Sequence, residues 1–281
     1  MKPDDFAFFT KYIYDQTGLV LGPDKMYLIE SRLAPLARKY NVANIDLLVG
    51  QLRTARTNDL QRDIVDAMMT NESFFFRDGK PFDQFRQLVL PGLLQSRAAK
   101  KSFRIWCAAA STGQEPYTLA MILKEEAAKL AGWRVDIVGT DISHDALERA
   151  KSGVYTQFEV QRGLPMTHLV KYFRKDGLNW RLNDTIRSMV TFREWNLLAD
   201  PRPLGEFDIV FCRNVLIYFD RPTKTRVLDM IAKQMPADGL LYLGGAETVL
   251  GISDKFEILP DNRGVYEKTR AGAARPVLAK V

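Results

Sequence analysis

Hydrophobic residues follow two different periods along the chain, and the change between them divides it in two. Up to about residue 70, apolar residues such as Phe6, Phe9 and Ile13 recur every three or four positions, which is the spacing of one helix face. We therefore predict an all-helical N-terminal domain over residues 1–70. From residue 103 onwards, short apolar runs alternate with helical patterns. This alternation predicts an α/β fold with an open, doubly wound sheet.

The second part contains several short apolar runs that read as strands. The predicted strands are residues 103–107, 135–139, 207–212 and 239–243, followed by a hairpin of 256–259 and 265–268. The run 207–212 is apolar almost throughout, which is typical of a strand buried inside a parallel sheet.

The remaining segments connect or interrupt these two parts. Residues 71–102 are predicted to be a linker followed by a connecting helix, and 103–268 form the α/β domain. Within that domain, 153–193 contain several glycines and aromatic residues, which predicts a small inserted β-subdomain with antiparallel strands. The Ala-, Gly- and Arg-rich tail, 269–281, is predicted to be disordered.

Composition narrows the chemistry available to the chain. Of its 281 residues, 46% are hydrophobic and 26% are charged, which is close to the globular average. Two separated cysteines and two histidines argue against a disulfide framework, a metal site and HExxH chemistry. The N-terminus lacks a signal-peptide pattern, and no apolar run is long enough to span a membrane. These features predict a cytoplasmic protein without direct membrane insertion.

The net charge of +6 is distributed unevenly. Residues 1–70 carry nine basic and nine acidic residues, whereas 151–193 carry eight basic and three acidic residues. One interpretation is an ordinary solvated surface. The other is a docking face for an acidic protein or a nucleic acid.

Candidate binding residues cluster where the predicted strands end, which is where open parallel sheets bind their ligands. Glu115 follows the small-residue loop after the first predicted strand, and Asp141 follows the second predicted strand. Three further candidates follow the predicted strand 207–212, namely Arg213, Asn214 and Tyr218. The linker contributes Asn71, Ser73 and Arg77. Helix capping and ordinary loop packing are alternative explanations for each of them.

These candidate binding residues, taken together, favour a nucleoside ligand that carries no polyphosphate. An acidic residue at the end of the second strand is suited to ribose hydroxyls, and Glu115 is suited to an ammonium group. The loop lacks both GxGxxG and GKS/T, so phosphate binding is weakly supported. S-adenosylmethionine satisfies these conditions.

Five motifs, in order over nearly the whole chain, resemble those of the CheR family, the chemotaxis receptor glutamate O-methyltransferases. They are TNESFFFR (70–77), AASTGQEPY (109–117), GTDI (139–142), NLL (196–198) and FCRNVLIYF (211–219). The resemblance implies a helical domain, a methyltransferase domain that binds S-adenosylmethionine, and a small inserted β-subdomain. It also implies methyl esterification of glutamates on the cytoplasmic helices of chemoreceptors, with S-adenosylhomocysteine as the second product.

The same resemblance assigns roles to individual residues. The implied cofactor contacts are Asn71, Ser73, Arg77, Glu115, Asp141, Asn196, Leu197, Arg213 and Asn214. Arg77 and Tyr218 are the candidates for holding the substrate carboxylate during catalysis, and no metal is implied. Position 73 is Thr in many relatives, but Ser keeps the hydroxyl.

Two departures from the family pattern, and the positions of the basic residues, bear on which partners we predict for the protein. Gly244-Gly245-Ala246-Glu247 stands where relatives often carry Gly-His-Ser-Glu, so no histidine is assigned there. The insert is short between Phe173 and Trp180, which argues against tethering to a receptor pentapeptide. We predict a monomer that docks acidic receptor helices through Arg32, Arg38, Arg53 and the 151–193 insert.

Two other functions fit parts of the sequence. A nucleic-acid methyltransferase would suit the positive charge, but residues 213–216 lack the Pro-Pro run of amino-methylating enzymes and neither cysteine follows a proline. We therefore predict no nucleic-acid partner. A non-catalytic, cofactor-binding regulator is the other alternative, and the presence of Arg77 and Tyr218 argues against it.

Overall fold

The computed structural model describes residues 1–54 and 58–269. The predicted disordered tail lies outside these residues, except for its first position. Residues 1–69 form a helical unit around its own apolar core, which includes Phe9, Ile29 and Ile64. Its helices are α1 (Pro3–Thr17), a 3₁₀ turn (Pro23–Lys25), α2 (Met26–Lys39), α3 (Ile45–Thr54) and α4 (Asn58–Met68). In the described ranges, no helix is both long and apolar enough to cross a membrane.

A linker without regular structure joins this unit to the connecting helix. The predicted helix is present, but a π-helical turn interrupts it. It comprises α5 (Lys80–Gln84), the π turn (Phe85–Val89) and α6 (Leu90–Ser96). Leu90 and Leu93 are buried in the same core as the sheet that follows.

A mixed sheet forms the centre of the second part and confirms the predicted α/β class. Its strands are β1 (Ser102–Ala108), β2 (Arg134–Asp141), β6 (Val190–Glu194), β7 (Ile209–Cys212), β8 (Leu240–Leu243), β9 (Phe256–Ile258) and β10 (Val265–Lys268). They lie in the order β6-β2-β1-β7-β8-β10-β9. The first five strands in this order are parallel, β10 is antiparallel to β8, and β9 is antiparallel to β10.

Helices follow the parallel strands, as the alternating pattern predicts. They are α7 (Gln114–Glu125), α8 (His144–Ser152) and α12 (Arg221–Lys233). Ser143 caps α8 and Asp220 caps α12, each accepting a hydrogen bond from a backbone N–H in the first turn.

The predicted inserted β-subdomain contains a three-stranded antiparallel sheet. Its strands are β3 (Val154–Thr156), β4 (Phe173–Asp176) and β5 (Asn179–Leu182), in the order β3-β5-β4, accompanied by α9 (Gln157–Gln161), α10 (Met166–Tyr172) and α11 (Asp184–Arg187). The predicted limits, 153–193, extend too far, because β6 pairs with β2 in the large sheet. A strand of the main fold therefore ends the insert.

The two cysteines lie on neighbouring strands, but they face opposite sides of the sheet. Cys107 pairs in register with Phe211, the residue before Cys212. Because successive side chains of a strand alternate between faces, Cys107 joins the core beneath α7 and Cys212 joins the core on the other face. The sheet therefore separates the two thiols, and both are fully buried.

Candidate active site

The carboxyl ends of β1, β2, β6 and β7 meet at one edge of the sheet and border a cleft of about 1000 Å³, counted with its open mouth. All the site residues predicted from the sequence line this cleft. They are Asn71, Ser73, Arg77, Glu115, Asp141, Asn196, Leu197, Arg213, Asn214 and Tyr218. The parallel order of the strands explains the convergence of segments that are distant in sequence.

Asp141 ends β2 and holds two loops of the cleft together. Its Oδ2 accepts the N–H of Ser111 at 2.8 Å, and its Oδ1 accepts the N–H of Ser143 at 2.9 Å. Burial raises the pKa of the Asp141 carboxyl above its ordinary value, and these two N–H groups oppose the shift. A carboxylate has about four lone-pair sites, so sites remain for the hydroxyls of a ligand.

The loop after β1 is locally strained. Ala109 and Ser111 both line the cleft and have positive φ angles of 65° and 51°. Side chains other than glycine rarely adopt this region, and such conformations concentrate at binding sites. The Ser111 hydroxyl also donates to the carbonyl oxygen of Asn71 at 3.0 Å. The loop is thus fixed to Asp141 on one side and to the linker on the other.

Glu115 and Arg213 form a buried ion pair at the base of the cleft. Glu115 is in the first turn of α7, where the helix dipole favours a carboxylate. Arg213 donates to Glu115 at 2.8 Å and to Asp78 at 2.6 Å, and its side chain is 1% exposed. Burial raises the pKa of Glu115, and Arg213 counteracts that shift. The Nε of Arg213 is buried without a hydrogen-bond partner in the described part of the chain.

The linker contributes a second arginine to the cleft, Arg77, which differs from Arg213 in its ion pairing. Arg77 is half-buried and donates to the carbonyl oxygen of Glu72 at 2.9 Å. Within the described ranges, no carboxylate lies at ion-pair distance from Arg77. Its guanidinium lies 5.3 Å from the ring centroid of Phe74, and that of Arg162 lies 4.3 Å from the same ring. Arg77 therefore retains its charge for a ligand, whereas Arg213 is already paired.

The insert contacts this linker directly. Arg162 pairs with Glu72 at 2.6 Å. Gly163 has a φ of +82°, and a Cβ added there would lie 2.1 Å from the carbonyl oxygen of Phe75. Phe75 itself packs edge-on against Tyr155 and Phe173 of the insert. Phe74 thus lines the cleft, whereas Phe75 is buried in the core.

The N-terminal helical unit supplies one wall of the cleft. Thr17, Leu19, Met68, Met69 and Thr70 line it. This wall is attached by hydrogen bonds from Asn196 Nδ2 to the carbonyl oxygen of Gln16 at 2.6 Å and from the N–H of Val20 to the carbonyl oxygen of Tyr218 at 3.1 Å.

Sequence reasoning missed two residues of the site. Trp195 lines the cleft, and its Nε1 is buried without a partner in the described part of the chain. Glu247 lies behind the cleft and accepts hydrogen bonds from the segment that carries Asn214. Trp195 precedes the recognised Asn-Leu-Leu motif, and its aromatic character was a usable signal. Glu247 stands at the place of the glutamate in the Gly-His-Ser-Glu run of relatives, and that match was a usable signal as well.

The proposed basic docking face is reduced by ion pairs. Most basic residues of 151–193 pair with carboxylates, including Arg162 with Glu72 and Lys171 with Glu125. In the helical unit, Arg32 donates to the carbonyl oxygen of Met69 and Arg53 pairs with Asp5. The basic excess of the insert is therefore largely neutralised by contacts within the fold, and Arg38 remains exposed.

The residues present fit S-adenosylmethionine. Asp141 retains acceptor sites for a ribose, Glu115 is a carboxylate suited to an ammonium group, and the Nε of Arg213 is a buried donor without a partner. Binding of a nucleoside and an amino acid in one cleft requires donors and acceptors of both signs, which this cleft provides.

Comparison with known proteins agrees with this geometry. Residues 71–265 match the model for the CheR methyltransferase SAM-binding domain, and residues 4–69 match that for the CheR methyltransferase all-alpha domain. The chain is 38% identical to chemotaxis protein methyltransferase 1 of Vibrio cholerae, over 96% of this chain and 98% of that protein. It is 38% identical to its namesake in Pseudomonas aeruginosa, over 95% and 98%. The Borreliella burgdorferi chemotaxis protein methyltransferase is 32% identical over 92% of each chain. The chain therefore belongs to the CheR family of chemotaxis methyltransferases, whose cofactor is S-adenosylmethionine.

Proposed function

We propose that this protein transfers a methyl group to glutamate side chains of chemoreceptors, forming methyl esters during chemotaxis adaptation. The observation that carries the proposal is Arg77, a guanidinium in the cleft that has no carboxylate partner in the described part of the chain. Together with the phenol of Tyr218 on the same cleft, it suits an anionic substrate group. The methylated atom of a nucleic-acid base belongs to a neutral group and would not itself pair with this charge.

The chemistry requires little from the protein beyond alignment. A glutamate side chain has a pKa of about 4.3 and is ionised at neutral pH, so no general base is needed. When bound, S-adenosylmethionine supplies a methyl group on a sulfonium, which a carboxylate oxygen attacks in line to leave the neutral thioether S-adenosylhomocysteine. Arg77 and Tyr218 orient the incoming carboxylate, and the surrounding walls exclude water. Catalysis is then chiefly proximity and orientation.

The remaining assignments follow from where the residues lie. We propose that Asp141 holds the ribose, that Glu115 holds the ammonium group, and that Asn71, Ser73, Arg77, Asn196, Leu197, Arg213 and Asn214 complete the cofactor contacts. The helical unit of residues 1–70 is proposed to dock the receptor, because it forms the cleft wall that a bound substrate helix must pass. The protein is proposed to act in the cytoplasm as a monomer.

The test is methyl transfer from tritiated cofactor to purified receptor, followed by treatment with base. Methyl esters hydrolyse in base, whereas N-methyl and C-methyl groups do not. We expect base-labile label on the receptor, and its loss when the candidate glutamates are replaced by alanine. Base-stable label on nucleic acid, or cofactor binding without any transfer, would contradict the proposal and favour one of the two alternatives.

Variants of the chain localise the chemistry. Arg77→Ala should lower turnover at least tenfold while leaving the melting temperature nearly unchanged, because the Arg77 side chain donates to a carbonyl oxygen of its own linker. Arg134→Ala is the matched control, since Arg134 begins β2 at the end opposite the cleft and its side chain is 78% exposed. A wild-type transfer rate in Arg77→Ala would remove this residue from the active site.

A further inference from the structure

Glu247 is a buried carboxylate that accepts hydrogen bonds from backbone N–H groups. It follows β8 and is 9% exposed. Its Oε2 accepts from Gly244 at 2.7 Å and from Asn214 at 2.8 Å, and its Oε1 accepts from Val215 at 3.0 Å and from Ile217 at 3.3 Å. Hydrogen bonds to an ionised acceptor are stronger than those between neutral groups. This side chain therefore binds the segment after β7 at several points.

That segment needs such support. Asn214 has a φ of +59°, which is unfavourable for a residue with a side chain, and regular pairing with the neighbouring strands ends at Cys212. Within the described residues, its N–H groups consequently have no strand partner. Glu247 satisfies those of Asn214, Val215 and Ile217, and so fixes the path of the chain from the end of β7 to Tyr218.

The space around this carboxylate is closely filled. A Cβ added at Gly244 would lie 2.7 Å from Glu247 Oε2 and 2.8 Å from the side-chain nitrogen of Asn214. Any residue larger than glycine at position 244 therefore displaces the carboxylate or the asparagine. The glycine permits the close approach that the hydrogen bonds require.

We propose that Glu247 is a positioning residue that acts through this segment. Asn214 and Tyr218 line the cleft, whereas Glu247 is not among its lining residues. Glu247 holds the backbone from which Asn214 meets the cofactor and Tyr218 meets the substrate carboxylate. The part of this inference that concerns Tyr218 rests on the proposed function. The part that concerns Asn214 rests only on cofactor binding.

The test compares Glu247→Gln, which affects the segment after β7, with a matched change of a buried carboxylate just before β7. Glutamine keeps the shape of the side chain but offers one oxygen, so part of the N–H set would face an NH₂ group. Asp208 is the control: it is a buried carboxylate just before β7, 5% exposed, and accepts from Arg97 Nε and from the N–H of Arg104. Asp208→Asn disturbs the same strand without touching the cleft.

Hydrogen exchange of the free protein gives the first readout, since it requires neither cofactor nor receptor. In Glu247→Gln we expect the amides of Asn214, Val215 and Ile217 to exchange at least tenfold faster. S-adenosylhomocysteine affinity, measured by calorimetry, should fall at least fivefold. In Asp208→Asn both quantities should match the wild type while the melting temperature falls. Wild-type exchange and affinity in folded Glu247→Gln, or equal losses in both variants, would overturn the proposal.

Two further variants test the same role of Glu247 in other ways. If Glu247→Gln does not fold, Gly244→Ala displaces the carboxylate without removing its charge, and the same accelerated exchange is expected. For transfer to receptor, Glu247→Gln combined with Tyr218→Phe should lose less than the product of the single losses, because both act through one segment. Independent, multiplying losses would contradict action through that segment. If the wild type methylated no receptor, the proposed function would fail while the exchange and affinity results would still test Glu247.

Discussion

Replacing Asp141 by alanine should weaken the fold as well as cofactor binding. The side chain is 7% exposed and accepts two backbone N–H groups, those of Ser111 and Ser143. Each buried donor left without an acceptor costs about 1–3 kcal/mol, so the free energy of unfolding should fall by about 2–6 kcal/mol. That is a large share of the 5–15 kcal/mol that is typical of a folded domain.

The effect on the ligand adds to this loss of stability. Hydrogen bonds from a ribose to a charged acceptor contribute about 1.5–3 kcal/mol, which corresponds to roughly a ten- to hundredfold loss of affinity. Asp141→Asn keeps one oxygen and should therefore lose about half as much stability as Asp141→Ala.

Denaturant unfolding without ligand separates the two effects, and calorimetry with S-adenosylhomocysteine measures the second. Asp200→Ala is the control, because Asp200 also accepts a backbone N–H, that of Arg202, but its side chain is 51% exposed. This variant should lose no more than about 0.5 kcal/mol of unfolding free energy. An Asp141→Ala variant that loses less than about 1 kcal/mol would refute the two-loop role, and unchanged affinity would refute the ribose assignment.

Two other outcomes follow from buried groups. Cofactor affinity should fall on acidification, beginning at a pH above the ordinary carboxyl pKa of about 4, because burial raises the pKa values of Asp141 and Glu115 and both bind in their ionised forms. Calorimetry across pH should show this fall for the wild type and a flatter profile for Asp141→Asn. A flat wild-type profile would contradict the prediction. The double variant Cys107→Ala and Cys212→Ala should keep its methyl-transfer rate and lose about 1 kcal/mol of stability per residue. Oxidation of the wild type should form no internal disulfide, since the thiols face opposite sides of the sheet. A disulfide-linked peptide in mass spectrometry, or a folded double variant without methyl transfer, would contradict this.

The sequence predicted most of the sheet because its strands are continuous apolar runs. The run containing Phe211 and Cys212 could hardly be anything but an interior strand. β6 was missed because it mixes apolar and charged residues and follows a segment rich in basic residues and glycine. Its place in the large sheet depends on pairing with β2, which is distant in the chain.

The side chains of the cleft were predictable for a related reason. Asp141 ends β2 and Arg213 directly follows β7, and the parallel strands end at one edge of the sheet. Glu247 was not predictable from the hydrophobic pattern, because its partners are backbone N–H groups, which carry no sequence signature, and only its match to the Gly-His-Ser-Glu run of relatives could have indicated it. The separation of the two cysteines depended on register, since a shift of one residue would have placed both on the same face.

The insert and the cleft cannot be exchanged independently between proteins of this kind. Gly163 approaches the carbonyl oxygen of Phe75 so closely that no side chain fits between them. A chimera that receives another insert must therefore keep a glycine at this point and an arginine able to pair with Glu72. Because Phe75 and Arg77 belong to the same short linker, a graft that fails this condition would move the arginine proposed to orient the substrate. Variation in the insert is thus limited to surfaces that face away from the linker, such as the turn around the exposed Leu178.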